Sequence, residues 1–178
     1  MHEYIILEIA TKTNGTITQC KITNEYFMGV AILAGMRSKD PSTQVGACIV
    51  DNDNKILSQG YNGLPRGCSD DEFPWSREGE MLETKYPYVV HAELNAILNS
   101  RGTNLVGAKI YVALFPCNEC AKAIIQSGIK EVVYLSDKYA DTDIVKASKR
   151  MFSSAGVKMT MLEPKSKNIQ ISFDINDI

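Results

Sequence analysis

Residues 109–135, KIYVALFPCNECAKAIIQSGIKEVVYL, read as a strand, a helix and a second strand. After Lys109, positions 110–114 are apolar and include β-branched and aromatic residues in the manner of a buried strand, and 132–135, after Glu131, repeat that character. Between them Pro116 suits the first turn of a helix, where its missing N–H costs nothing. Cys117 and Cys120, three apart, then share one helical face. Two strands joined across a helix imply a parallel pair, and with it an α/β architecture in layers.

The pattern continues outward in both directions. His91-Ala92-Glu93 opens an apolar run through Leu98 that reads as a helix, preceded by a long loop over about 62–89 rich in Gly, Pro and acid. Residues 45–50 and 55–59 are strands joined by the turn Asp51-Asn52-Asp53-Asn54, expected at the antiparallel edge of the sheet. Phe27, Val30, Ala31 and Ala34 recur at helical spacing within 25–38, and Pro41 closes that segment. Residues 4–10 and 16–23 flank Asn14-Gly15, a hairpin turn signal. Beyond residue 135 a helix over 143–154 and a strand over 157–162 complete the alternation, and 169–173 again alternate like a strand. The expected organisation is an N-terminal hairpin extension (1–23), a three-layer α/β/α domain (24–163) and a C-terminal strand and tail (164–178).

His91-x-Glu93 followed by Pro116-Cys117-x-x-Cys120 is the zinc deaminase signature, in which the carboxylate is not a ligand. Thiolate and neutral imidazole bind Zn²⁺ well, and a catalytic site takes three protein ligands and keeps a fourth position for water. His91, Cys117 and Cys120 are the candidate ligands, and Glu93 the candidate proton carrier. The positive end of a helix helps both sulfurs ionise. His91 and Glu93, two apart, reach one metal only from the first turn of a helix. A closed structural site would need a fourth ligand, and His2, Cys20, Cys48 and Cys68 stand at no recognisable ligand spacing from these three.

Composition narrows the substrate. A chain of 178 residues that is 44% hydrophobic supports one domain with a substantial core. The net charge is −2 and there is no dense Lys/Arg run. Proteins that grip nucleic acid neutralise several phosphates with a basic face, so a free nucleoside or nucleotide is expected and nucleic acid is not. No apolar run reaches membrane-spanning length, and the first residues lack a basic n-region. Five cysteines, two of them in the zinc motif, do not form a disulfide framework. The expected setting is a reducing, cytoplasmic one.

From about residue 25 to residue 163 the chain resembles deoxycytidylate (dCMP) deaminases of the eukaryotic or viral type, within the cytidine-deaminase superfamily. The shared strings are Arg37-Ser38-Lys39-Asp40-Pro41, Gln44 through Val50, Gly60-Tyr61-Asn62-Gly63, Thr84-Lys85-Tyr86-Pro87-Tyr88, His91 through Ala96, Phe115 through Cys120, and Ser136-Asp137-Lys138-Tyr139. The resemblance implies a five-stranded mixed sheet sandwiched by helices, with zinc at the N-termini of two of them. It implies hydrolysis of dCMP to dUMP and ammonia, supplying thymidylate synthesis. In that chemistry Glu93 takes a proton from the zinc-bound water, delivers it to N3 of cytosine, and later helps protonate the amine leaving C4. Ser38, Ser42 and Tyr139 resemble positions near the substrate phosphate, Asn62 resembles the sugar-contacting Asn, and Asn62 and Gly63 match the regulatory nucleotide loop. A homohexamer activated by dCTP with Mg²⁺ and inhibited by dTTP is implied as well. Two alternatives share the motifs: a broader deaminase that also takes dCTP, and a catalytically silent nucleotide-sensing subunit. The intact Glu93 argues against the second.

Overall fold

The computed structural model describes residues 23–165, 168, 169, 171, 173 and 174. The hairpin expected over residues 1–23 lies outside the described residues up to position 22. Thr23, assigned to it, instead opens a helix, with polar Asn24 and Glu25 filling the first turn.

Among the described residues five strands form one sheet: β1 (Gly46–Val50), β2 (Ile56–Tyr61), β3 (Lys109–Leu114), β4 (Glu131–Ser136) and β5 (Lys158–Met161), in spatial order β2-β1-β3-β4-β5. Among the described residues four α-helices cover it: α1 (Thr23–Gly35), α2 (Ala92–Asn99), α3 (Asn118–Gln126) and α4 (Asp143–Ser154). β1 is antiparallel to both β2 and β3, whereas β3, β4 and β5 run parallel. This is the expected mixed sheet, with α3 and α4 as the crossovers of its parallel half and β2 as its antiparallel edge. No helix among the described residues is long and apolar enough to cross a membrane.

The two-residue period of the strands sorts side chains into two cores. Ala47 and Ile49 of β1, with Ile110, Val112 and Val132, pack with residues of α2, α3 and α4. Cys48 and Val50, with Tyr111 and Val133, face Phe27, Met28 and Ala31 of α1. Because both faces of β1 are covered, all five of its residues are buried and its sequence shows no polar alternation.

Glycine decides how closely two helices approach. A Cβ on Gly60 of β2 would fall 2.3 Å from the Ala96 nitrogen and 2.6 Å from the Ala92 carbonyl oxygen, so the backbone of α2 lies directly on the strand. Ser58 Oγ donates to the Ala96 carbonyl and Asn95 Nδ2 to the Tyr61 carbonyl, fixing the helix along its length. A Cβ on Gly46 would fall 1.9 Å from the Ala31 carbonyl oxygen, which seats α1 against the start of β1.

The strand expected at 169–173 is not part of the sheet. Residues 170 and 172 lie outside the described residues, and Ile169, Ile171 and Phe173 belong to no strand. A Cβ on Gly29 of α1 would lie 2.8 Å from Ile169 Cδ1, so the Ile169 side chain packs against that helix.

Candidate active site

The ends of β2 and β3 and the beginning of β1 meet at one end of the sheet, as their registers require. The chain leaves β2 into a long loop and returns at Val90. There Gly63 N donates to the Val90 carbonyl at 3.1 Å and Val90 N to the Gly63 carbonyl at 2.9 Å. That bridge closes the loop and sets His91 at the N-cap of α2. From β3 the chain stays extended through Cys117, which is the N-cap of α3. Pro116 therefore precedes the cap rather than occupying the first turn, because the helix begins only at Asn118. Ser148 of α4, fully buried, reaches the Pro116 carbonyl at 2.8 Å and the Cys117 carbonyl at 3.1 Å, bracing the turn from behind.

Neither His91 nor Cys117 uses its side chain to cap its own helix, and both turn toward the other. His91 Nδ1 lies 3.4 Å from Cys117 Sγ and 3.5 Å from Cys120 Sγ, and the three donor atoms are within 4.8 Å of one another. A tetrahedral zinc with ordinary Zn–S and Zn–N bonds holds nitrogen and sulfur ~3.6 Å apart, so the donor set has the spacing of that ion. Two thiols and an imidazole also suit its softness. Among the described residues no fourth His, Cys, Asp or Glu joins the cluster, which is the pattern of a site with an open position. Cys48 faces the α1 core, where burial pushes its thiol up to about 12. His2 and Cys20 lie outside the described residues.

The ligand groups polarise one another. The neighbouring Cys120 thiol, with help from the His91 ring, brings the Cys117 thiol down to about 4 despite burial. The hydrogen bond to Cys117 brings the His91 ring up to about 9. The Cys120 thiol is pushed upward, first by its bond to Cys117 and then by burial. Together these make Cys117 a thiolate, the form that binds metal.

Glu93 sits in the first turn of α2, 5% exposed. Burial raises its carboxyl above the ordinary carboxylate range, with the His91 charge opposing. Glu93, His91 and Cys117 line a cavity of about 430 Å³, within the size range of small-molecule sites. Asn62 and Tyr139 line the same cavity. The Asn62 carboxamide is engaged by the protein itself: Oδ1 accepts from Val45 N at 2.8 Å, and Nδ2 donates to the Thr43 carbonyl at 3.0 Å and Asp40 Oδ2 at 3.2 Å. Ser38 and Ser42 do not line the cavity. Ser38 is buried with Oγ accepting from Asp40 N, and Ser42 is exposed, its N–H donating to Asp40 Oδ1. Gly63 serves the bridge to Val90.

Sequence reading passed over the group that organises this wall. Asp40 accepts from Lys85 Nζ at 2.5 Å, from the amides of Ser42 and Thr43, and from Asn62, with its side chain 1% exposed and that of Lys85 8%. Burial acts to raise the Asp40 carboxyl, but the Lys85 hydrogen bond and the two amides hold it below its ordinary value. Both residues stand inside strings singled out above, yet 45 positions apart, where no spacing rule links them.

Residues 21–136 match a family model described as the cytidine and deoxycytidylate deaminase zinc-binding region. The chain is 60% identical over 151 residues to the deoxycytidylate deaminase of Homo sapiens, covering 84% of this chain and 85% of that one. It is 57% identical over 157 residues to a probable deoxycytidylate deaminase of Drosophila melanogaster, covering 85% and 77%. Among solved structures it resembles the dCMP deaminase of the cyanophage S-TIM5 in complex with dCMP and dUMP, with a TM-score of 0.63 and 29% identity, covering 78% of this chain and 95% of that one.

Proposed function

The chain belongs to the cytidine and deoxycytidylate deaminase family, and on that premise we propose that it hydrolyses dCMP to dUMP and ammonia. The observation that carries the proposal is the buried Glu93 beside the His91–Cys117–Cys120 cluster in one cavity of nucleotide scale. His91, Cys117 and Cys120 would hold the zinc, which when bound supplies Lewis-acid activation of water.

The chain's own residues do the rest. Water adds to C4 of the cytosine, the C4–N4 bond breaks, and ammonia leaves. Glu93 accepts the proton released as water attacks, hands it to N3, and then assists protonation of the departing amine. Its burial among the apolar wall of the cavity keeps the carboxyl from being levelled by bulk water, so the same group can hold and release a proton. Asn62 and Tyr139, in the cavity wall, are the substrate contacts this reading favours. For Ser38 and Ser42 it relies on family resemblance alone, and it gives them an indirect part through Asp40 and the 38–43 segment.

The finer reading rests on the same resemblance: a homohexamer activated by dCTP with Mg²⁺ and inhibited by dTTP, with Asn62 and Gly63 at the effector. Ammonia release from dCMP, dCTP and deoxycytidine, each with and without dCTP or dTTP as effector, tests both levels. Turnover of dCMP raised by dCTP and suppressed by dTTP is expected. Comparable release from dCTP would replace the monophosphate reading with the broader one. Zinc-loaded protein that releases ammonia from none of them would leave only a nucleotide-sensing role.

A further inference from the structure

We infer that Arg77 is the phosphate contact that makes this site prefer a nucleotide over a nucleoside, an inference that rests on reading the cavity as a dCMP site. The charge inventory of the lining leads there. Its carboxylates are Asp40 and Glu93, and its permanent cations are Lys85 and Arg77. Lys85 is committed to Asp40 within the wall, both side chains buried. His91 faces the two sulfurs. Arg77, by contrast, forms no ion pair with any described residue and is exposed to the cavity and to solvent. Without it the lining would carry more negative than positive charge and would repel a phosphate dianion.

The geometry suits the role. Arg77 Nε donates to the Tyr86 phenol oxygen at 3.4 Å, which orients the guanidinium and, among the described residues, leaves both Nη groups without a hydrogen-bond partner. A guanidinium offers phosphate a planar pair of donors that a lysine cannot. Tyr86 and Tyr139, which line the same cavity, are 61% and 47% exposed, against 5% for Glu93. The lining therefore runs from a dry end at Glu93 to a wet end at Arg77, and a dianion is cheapest to bind where it stays partly hydrated. Of the three positions that match phosphate neighbours by resemblance, Ser38 and Ser42 do not line the cavity, whereas Tyr139 does.

Steady-state kinetics of the zinc-loaded wild type, R77A and R77K on dCMP and deoxycytidine decide the matter. The readout is the ratio of kcat/KM for the two substrates, taken after zinc content and Tm show each variant folded. Loss of a charged hydrogen-bond partner predicts a fall in that ratio of about ten- to a hundredfold in R77A, expressed mainly in KM for dCMP. R77K should fall between the two, keeping the charge but not the fork. A ratio unchanged in R77A, or equal losses on both substrates, overturns the assignment while leaving dCMP deamination standing. Wild-type protein inactive on dCMP overturns both.

Discussion

Glu93, Ser148 and Asp40 act on the site in three different ways, and each can be separated by substitution. Glu93→Ala should keep its zinc, because no ligand is lost, and lose turnover by about a hundredfold or more, the usual worth of a positioned proton carrier. Metal analysis alongside kcat checks this, and a zinc-replete variant with near-normal rate would end the assignment. Ser148 is buried and touches neither cavity nor metal ligand side chain; it holds the carbonyls of Pro116 and Cys117. Ser148→Ala should cost about 1 kcal/mol of stability and hasten zinc loss to a chelator, followed by a colorimetric zinc indicator. Unchanged zinc release would mean that α3 is held by other contacts. Asp40 is depressed in the fold, so its pairing stabilises above the ordinary carboxylate value near about 4 and fades as pH falls through the lower folded value. Asp40→Asn, by stranding Lys85 in the wall, should cost about 3 kcal/mol at neutral pH. Urea unfolding at a series of pH values should show the gap between wild type and variant closing below about pH 4; a gap constant down to pH 3 contradicts it. His91, Glu93 and the two cysteines were legible because their spacing is local. Ser148 and Lys85 were not, since a lone serine on a helix and a lysine in a loop carry no periodic or motif signal.

At the scale of the element, the site depends on where two helices begin, and glycine fixes one of them. Gly60 sits under α2 with backbone atoms of Ala92 and Ala96 within 2.6 Å of where a Cβ would stand. Gly60→Ala should therefore push α2 off β2, cost about 1–3 kcal/mol, and weaken zinc retention because His91 caps that helix. Gly63→Ala is the contrast: nothing lies within 4 Å of its Cβ position and it has no positive φ, so its unfolding midpoint should stay near the wild type. Equal midpoints for the two variants in denaturant would refute the close-packing argument. The strands and helices themselves were readable from period and apolar runs, and even the hairpin expected at 45–59 carried its turn in plain sight. What misled was local likeness without a partner. The alternation Ile169-x-Ile171-x-Phe173 has strand character, but these three residues belong to no strand, and the Ile169 side chain packs against Gly29 of α1. Pro116 looks like a helix start, but the extended backbone at Cys117 delays the helix to Asn118, two residues on.

At the scale of the molecule, zinc would tie the start of α2 to the start of α3, joining the β1–β2 half of the sheet to the parallel half. Ligand held by the folded state alone stabilises it, by about 2.7 kcal/mol at a hundredfold excess over Kd. Chelation should accordingly lower Tm and abolish turnover together, with both restored by Zn²⁺ and not by Mg²⁺, whose hard, oxygen-loving chemistry does not suit two sulfurs. Restoration by Mg²⁺ would rule out the sulfur cluster as the site. The sequence by itself determined the α/β alternation, the candidate metal ligands, the candidate proton carrier and the family, because each is written in residues a few positions apart whose geometry a helix turn or a strand dictates. Only the tertiary structure decided which distant residues form the cavity. Asp40 comes from the loop before β1, and Asn62, Arg77 and Lys85 from distant points of the long loop between β2 and α2; the strand order β2-β1-β3-β4-β5, with β1 reversed against β3, brings both loops to one end of the sheet. Packing of helices over glycine and burial of an ion pair depend on contacts across tens of residues, and no local pattern encodes them.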